Sequence, residues 1–149
     1  MQNMSLLKVI LLMSTMLGFV VGLLSPVPYL GALAFIVLLC FSAPIVLGML
    51  LRIKVLRMDN ISESALLGAI VGFVSFIAFS LIYMPVVMIM YKIFNYYVNF
   101  GVTLALNNSN LFVIIMISIF MGILSAITNA FSGFLTYYIA QTIENINNK

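Results

Sequence analysis

The sequence predicts an all-α membrane protein, a bundle of four antiparallel transmembrane helices with both termini in the cytoplasm. The first reason is composition, because 65% of the 149 residues are apolar and only 6% are charged, whereas a typical soluble domain has about 25% charged residues. The second reason is that four apolar stretches are each long enough to cross about 30 Å of hydrocarbon as a helix. Helices are favoured over open strands because open strands leave backbone groups unpaired in hydrocarbon.

The predicted spans are bounded by residues that end or start helices. Ser25 to Pro28 contains two prolines and cannot continue a helix. Asn60-Ile61-Ser62-Glu63 has the spacing of a capping box, and Asn107 to Asn110 supplies turn and cap residues before the last span. The short connections favour antiparallel neighbours in one integral membrane domain over residues 1–149. The predicted spans are Leu6 to Leu24, Tyr29 to Leu51, Ala65 to Met90 and Leu111 to Ile139.

The distribution of basic residues predicts the orientation of the bundle. Only Lys92 falls on the side of the membrane that holds the connection between the third and fourth spans. The opposite side is therefore predicted to be cytoplasmic by the positive-inside rule, and we expect the protein in a bacterial inner membrane. The basic residues on that side are Lys8, Arg52, Lys54, Arg57 and Lys149.

Two further expectations concern the outer side and the amino terminus. Residues 92–100 are rich in Tyr and Phe, whose rings with polar tips prefer the headgroup layer, so this segment is expected to lie along the outer interface. Ala32-Leu33-Ala34 resembles a signal-peptide cleavage site. Cleavage there would leave three spans and an outer amino terminus, but the long apolar run favours an uncleaved first span.

Two spans carry a GxxxG motif, which favours close helix contact in lipid because small residues let backbones approach. The motif is formed by Gly18 and Gly22 in the first span and by Gly68 and Gly72 in the third. The depths of these glycines predict that the first and second helices are closest at the outer side. They likewise predict that the second and third helices are closest at the inner side, near Gly48.

Two prolines lie inside predicted spans. Pro44 is in the middle of the second span and Pro85 is near the outer end of the third, and each removes one backbone hydrogen bond and is expected to bend its helix. Pro44 has two interpretations. It is either a gating hinge or a fixed kink satisfied by neighbours such as Ser42, and the second is preferred.

The fourth span has the most regular polar pattern in the chain. Small or polar residues recur at offsets of 4, 3, 4, 3 and 4, which places them on one helix face directed into protein. We expect a packing seam in which the Asn129 amide finds hydrogen-bond partners. A lining for water or a small polar solute, and an oligomer interface, are the alternatives. The seam consists of Ser118, Gly122, Ser125, Asn129, Ser132 and Thr136.

The residue inventory argues against catalysis and against bound metals or cofactors. The chain has no His, one Cys, and three Asp and Glu residues, which is too few for a zinc site, a Ser/His/Asp triad or a disulfide framework. The carboxylates are all expected at cytoplasmic helix ends, so proton-coupled export lacks an intramembrane titratable group. The net charge of +3 suits anionic headgroups better than nucleic acid.

The first half of the chain resembles small prokaryotic four-helix membrane proteins of unknown function. The resemblance covers roughly Leu6 to Ser80. It rests on Leu17-Gly18 to Gly22, on the turn from Ser25 to Pro28, on Gly48 to Arg52, and on the third span opening as Glu63-Ser64-Ala65-Leu66-Leu67-Gly68-Ala69. It implies four membrane helices and no activity.

Three functions are therefore compatible with the sequence. The preferred one is a non-enzymatic multi-pass protein that acts through helix contacts, as an accessory subunit or homo-oligomer, with lipid and other membrane helices as its partners. The first alternative is a small channel or facilitator for water or a small polar solute, lined by the seam. The second is a holin-like pore former.

Overall fold

The computed structural model describes residues 2–27, 29–54, 56 and 60–147. Every regular element in these ranges is helical. Four helices are long and apolar enough to cross a membrane, which confirms the prediction of a multi-pass α-helical protein. Pro28 of the predicted turn, and Arg57 and Lys149 of the charge argument, lie outside the described residues.

The second span is the one that departs from a continuous α-helix. Its middle forms a π-helical segment, Val37–Phe41, between two α-helical parts. The helices are α1 (Gln2–Leu24), α2 (Leu30–Ile36), α3 (Ser42–Arg52), α4 (Ile61–Phe94), α5 (Phe100–Asn108) and α6 (Leu111–Asn147). Span one is α1, span two comprises α2, the π-helical segment and α3, span three is α4, and span four is α6.

The connection between spans three and four contains a helix that the sequence analysis did not predict. The α4 helix ends at Phe94 and is followed by Asn95, which adopts the left-handed conformation at φ 52°, a backbone state that Asn tolerates better than most residues. The α5 helix starts at Phe100 and is capped by Asn99, whose Oδ1 accepts a hydrogen bond from Val102 N at 3.1 Å. Two asparagines therefore set both boundaries through local backbone chemistry.

The start of α4 differs from the predicted capping box. The helix does begin at Ile61, after Asn60, but the Asn60 side chain makes no capping hydrogen bond. Instead, the Asn60 carbonyl accepts from Ser64 N at 3.2 Å. Backbone bonding is thus sufficient to start the helix at this position.

The glycines of span one lie against span three. A Cβ built on Gly18 would be 2.2 Å from the Ser75 carbonyl oxygen, and one on Gly22 would be 3.1 Å from Ile82 Cβ. The expectation that these glycines face span two is therefore wrong. The expectation that spans two and three are closest at the end of span two that carries Arg52 is confirmed, because α3 packs against Leu67 and Val71 of α4. Gly48 does not make this contact, since its added Cβ has no atom within 4 Å. Depth alone does not identify the partner because two helices can offer a surface at the same level.

The glycines of span three lie against span four. A Cβ on Gly68 would be 2.3 Å from the Asn129 carbonyl oxygen, and one on Gly72 would be 2.5 Å from the Ser125 carbonyl oxygen. On the other helix, a Cβ on Gly133 would be 2.5 Å from the Ser64 carbonyl oxygen. The two backbones approach closely because these three positions themselves carry no side chain.

Apolar packing joins the second span to its neighbours. One cluster brings Ile10 of α1 and Val71 of α4 together with the inner face of α3. A second cluster joins Val21, Leu38 and Phe79 of the first three spans. The second cluster takes Leu38 from the π-helical segment itself and the first takes its span-two residues from α3, which follows directly, so the break is packed against α1 and α4. The α3 residues of the first cluster are Ala43, Val46, Leu47 and Leu50.

Two buried serines on α4 provide a test of this packing. Within the described residues the Ser75 hydroxyl has no hydrogen-bond partner, whereas Ser64 Oγ donates to the Gly133 carbonyl oxygen at 2.6 Å. We expect Ser75→Ala to leave the free energy of unfolding unchanged or to raise it by up to about 1 kcal/mol, because it removes an unpaired polar group. Ser64→Ala should lower it by about 0.6 to 1.7 kcal/mol.

Equilibrium unfolding in mixed dodecylmaltoside and SDS micelles, followed by circular dichroism, measures both variants. A greater loss for Ser75→Ala than for Ser64→Ala would contradict the assignment of Ser75 as the unpaired hydroxyl.

Candidate functional site

The break in the second span follows from Pro44. In a regular α-helix the N–H of residue 44 would donate to the Cys40 carbonyl, but proline has no N–H and its ring clashes with that carbonyl. The backbone responds by widening into the π-helical segment Val37–Phe41, and Phe41 takes φ −117° and ψ −1°. Several backbone groups near the middle of the span consequently need partners from outside their own helix.

The Asn129 amide of α6 is inserted into this break. Ala43 N donates to Asn129 Oδ1 at 2.8 Å, and Asn129 Nδ2 donates to the Leu39 carbonyl oxygen at 2.8 Å. In a regular helix Ala43 N would bond directly to the Leu39 carbonyl. The side-chain amide therefore bridges the two ends of one missing backbone hydrogen bond, with its oxygen on the donor and its nitrogen on the acceptor.

Hydroxyl groups of span four satisfy neighbouring carbonyls. Ser132 Oγ donates at 2.6 Å to the carbonyl oxygen of Cys40, which is the group that Pro44 leaves without a donor. Thr128 Oγ1 donates to the Leu39 carbonyl oxygen. Since an unpaired carbonyl in hydrocarbon costs several kcal/mol, these side chains make the broken span compatible with the membrane.

The same cluster extends to the third span. Ser125 Oγ lies 3.0 Å from the Gly72 carbonyl oxygen, to which it donates, and 3.5 Å from the Leu38 carbonyl oxygen. Asn129 Nδ2 also donates to the Leu38 carbonyl oxygen at 3.1 Å. Ser42 Oγ, the neighbour that the sequence analysis suggested, donates to Leu38 as well. We call Ser125, Thr128, Asn129 and Ser132 the span-four clamp.

Burial divides the clamp into a dry centre and an accessible edge. Asn129, Ser125 and Ser42 are 0% exposed. Thr128 and Cys40 are exposed, so the edge of the clamp lies at the bundle surface between spans two and four. The amide at the centre is shielded from water, which strengthens its hydrogen bonds and makes their loss more costly.

The residues of the predicted seam are of two kinds. Of the six, only Ser125, Asn129 and Ser132 hydrogen-bond to backbone groups of other spans. Thr136 donates to the Ser132 carbonyl of its own helix at 2.8 Å. Ser118 likewise donates to its own helix, with Met84 Sδ 3.7 Å away.

The other predicted residues make different contacts. Gly122 faces ring and side-chain ends of α4, with Phe73 Cε2 3.2 Å from its added Cβ. Pro85 is exposed on α4, and that helix continues through it from Ile61 to Phe94. A proline therefore interrupts helical geometry in span two, whereas α4 is not divided at its own proline.

Thr128 is the clamp residue that the sequence analysis missed, because its place in the sequence lies outside the 4, 3, 4, 3, 4 repeat. Pro44 leaves the Cys40 carbonyl without a backbone donor, and this was the signal in the sequence that another residue had to supply one. Which helix supplies the donors depends on the tertiary arrangement.

No protein-family model, curated protein or solved structure matches this chain. The resemblance to four-helix membrane proteins stays a prediction. The span-four clamp consists of one amide and three hydroxyls, all of which hydrogen-bond to carbonyl or N–H groups. Amides and hydroxyls of this kind do not titrate near neutral pH. The described residues contain no group of three or more His, Cys, Asp or Glu that could hold a metal ion.

Proposed function

We propose that this chain is a non-catalytic multi-pass protein of a bacterial inner membrane that acts through helix contacts, as an accessory subunit or homo-oligomer. The observation that carries the proposal is the engagement of the clamp, in which Asn129 completes a broken backbone bond. The most polar part of the bundle is thus used to hold its own spans together. Interaction with other molecules then falls to the helix surfaces that face the lipid.

The proposed bundle is antiparallel, with both termini in the cytoplasm. The register of glycine contacts supports opposite directions for spans three and four, because Gly68 meets Asn129 whereas Gly72, four residues later, meets Ser125. Arg52 and Lys54 at the end of span two support a cytoplasmic location for that end.

Span four has the largest unused surface for contact with other helices. Only 11% of the apolar stretch of span four is buried, compared with 44% of the apolar stretch of span three. Its exposed side carries large apolar residues such as Ile123, Ile127 and Phe131. A helix packed on one side only is suited to joining a second bundle, since van der Waals packing drives association in lipid.

The clamp geometry counts against the channel alternative. Neither of two cavities of about 560 and 470 Å³ in the described part of the chain is lined by Ser125, Asn129 or Ser132. A polar pathway needs groups free to replace water around a solute, whereas these groups already bond to backbone. Solute flux into vesicles containing the purified protein, abolished by Asn129→Leu with Ser125→Leu, would favour the channel. Toxicity on overexpression would favour the holin-like alternative.

Photocrosslinking in native membranes tests the helix-contact proposal. A benzoylphenylalanine in place of Ile127, which is 63% exposed on α6, should yield a protein adduct because this face is the proposed interface. An adduct of about twice the 16.5 kDa chain mass identifies a homo-oligomer, and another mass identifies a partner subunit.

The matched control is the same probe at Leu12 of α1, which is 62% exposed and lies on a different helix. It should give mainly lipid adducts. Lipid adducts alone at both positions would contradict the proposal.

A further inference from the structure

A cavity of about 560 Å³ lies where the turn between spans one and two, α5 and the adjoining halves of α4 and α6 meet. Its walls are mainly apolar, and the larger side chains among them include Phe35, Phe76, Phe79, Tyr83 and Met121. A second cavity of about 470 Å³ shares part of its lining with the first, so the two are adjacent. The shared lining residues are Ser80, Met84, Leu106, Ile114 and Ser118.

The cavities arise because α4 and α6 separate along their length. At Gly68 the would-be Cβ is 3.1 Å from the Gly133 Cα, so the backbones touch. Farther along, Gly122 meets only the ends of the Phe73 and Ile77 side chains, at 3.2 and 3.3 Å. Beyond that level α5 lies beside the two helices and supplies Leu106 to both cavities.

The polar atoms of the larger cavity fall into two groups. The hydroxyls of Ser25, Ser80 and Ser118 each donate to a carbonyl of their own helix. By contrast, the hydroxyls of Tyr29, Tyr83 and Ser109 form no hydrogen bond with other described residues. The lining residues given by the structure include no charged side chain.

Asn99 is the fourth polar residue with an available group. Its Oδ1 caps α5 by accepting from Val102 N, which leaves the Nδ2 donor free among the described residues. The larger cavity therefore combines apolar walls with four uncharged groups able to bond to a ligand.

We propose that the larger cavity binds a single-chain amphiphile, with its alkyl chain among the aromatic residues and an uncharged polar head hydrogen-bonded to Tyr83, Asn99 or Ser109. Small-molecule sites typically enclose about 300 to 1,000 Å³ and combine apolar walls with a few polar groups. A phospholipid is a poorer fit, because its phosphate would lack the Arg or Lys partner that such groups normally bind in proteins.

This proposal does not depend on helix-mediated assembly. It can be tested with the full chain reconstituted in phosphatidylglycerol nanodiscs. The probe is a monoacylglycerol with a photoreactive diazirine at the end of its acyl chain, and the comparison probe is a phosphatidylglycerol that carries the same acyl chain. We expect saturable labelling by the first probe within α4 and α6, with competition by unlabelled monoacylglycerol.

Cavity-filling variants locate the site. Ser80→Phe fills space shared by both cavities, and Ala105→Phe fills the larger cavity from α5. Each should reduce monoacylglycerol labelling about tenfold, because the added ring takes the place of the alkyl chain. Leu66→Phe is the matched control, since Leu66 is exposed on α4 and lines neither cavity.

A third variant tests the head group. Tyr83→Phe keeps the ring but removes the hydroxyl, so monoacylglycerol affinity should fall about fivefold to tenfold, as expected for one hydrogen bond. Labelling by a plain alkyl diazirine should not change.

Equal labelling by the phospholipid probe would overturn the proposal by showing that bilayer lipid fills the space. Labelling that both folded filling variants leave unchanged would also overturn it. Because Ala105 is exposed on α5, which is not one of the four spans, Ala105→Phe gives a decisive result even if Ser80→Phe does not fold.

Discussion

Replacing Asn129 with leucine is expected to lower the free energy of unfolding by about 2 to 5 kcal/mol. The amide makes three hydrogen bonds to the broken second span, and interhelical bonds in membranes contribute about 0.6 to 1.7 kcal/mol each. The largest part of this loss is expected from the Ala43 N–H, because Asn129 Oδ1 is its hydrogen-bond acceptor at the break. Equilibrium unfolding in mixed micelles, monitored by circular dichroism, measures the loss.

Asn107→Leu is the matched control for this substitution. Asn107 is exposed on α5, so the same chemical change should alter stability by less than about 0.5 kcal/mol. A loss for Asn129→Leu no greater than that of the control would show that the clamp does not hold span two.

A double-mutant cycle tests whether the clamp compensates for Pro44. Pro44→Ala restores an N–H that can donate to Cys40, and a regular helix would let Ala43 N bond to Leu39. In the Pro44→Ala background, Asn129→Leu should therefore cost less by about 1 kcal/mol or more. Additive effects would mean that Asn129 acts independently of the proline break.

Gly68→Ala is expected to lower the free energy of unfolding by about 3 kcal/mol or more, at the upper end for overpacking. The added methyl would lie 2.3 Å from the Asn129 carbonyl oxygen and 3.1 Å from the Gly133 Cα. Both neighbours are backbone atoms, so no side-chain rotation can relieve the clash, and α4 and α6 must separate. The same micelle titration measures this variant, and chemical crosslinking between α4 and α6 reports the separation.

Gly48→Ala supplies the opposite result from the same substitution. Nothing lies within 4 Å of the added methyl at Gly48, so the higher helix propensity of alanine should raise stability by up to about 1 kcal/mol. If Gly68→Ala were as well tolerated as Gly48→Ala, the close approach of α4 and α6 would be refuted.

The number and type of spans could be predicted because they depend on local properties. An apolar stretch of about 20 residues is sufficient for a membrane helix, and the structure bears this out with four helices that could cross a membrane. The helix ends were less predictable. The α4 helix extends from Ile61 to Phe94, beyond the predicted 65–90, because polar residues at the ends of a span can continue a helix without being in hydrocarbon.

The partners of the small residues could not be predicted with the same success. Gly18 and Gly22 were paired with span two from their depth, yet they contact span three. A GxxxG motif states only that a helix can be approached closely, and it carries no information about which helix approaches. The seam on span four was ambiguous in the same way. Hydroxyls that bond to their own helix and hydroxyls that bond to another helix occur at positions of the same sequence repeat, so the repeat does not distinguish them.

The sequence by itself determined an all-helical chain with four spans, a proline in the middle of the second and an amide on the fourth, because hydrophobicity and backbone donors are properties of single residues. Only the tertiary structure decided that Asn129 fills the gap created by Pro44, 85 positions earlier in the chain. A hydrogen bond requires two groups within about 3 Å, and that proximity exists only after the helices have packed.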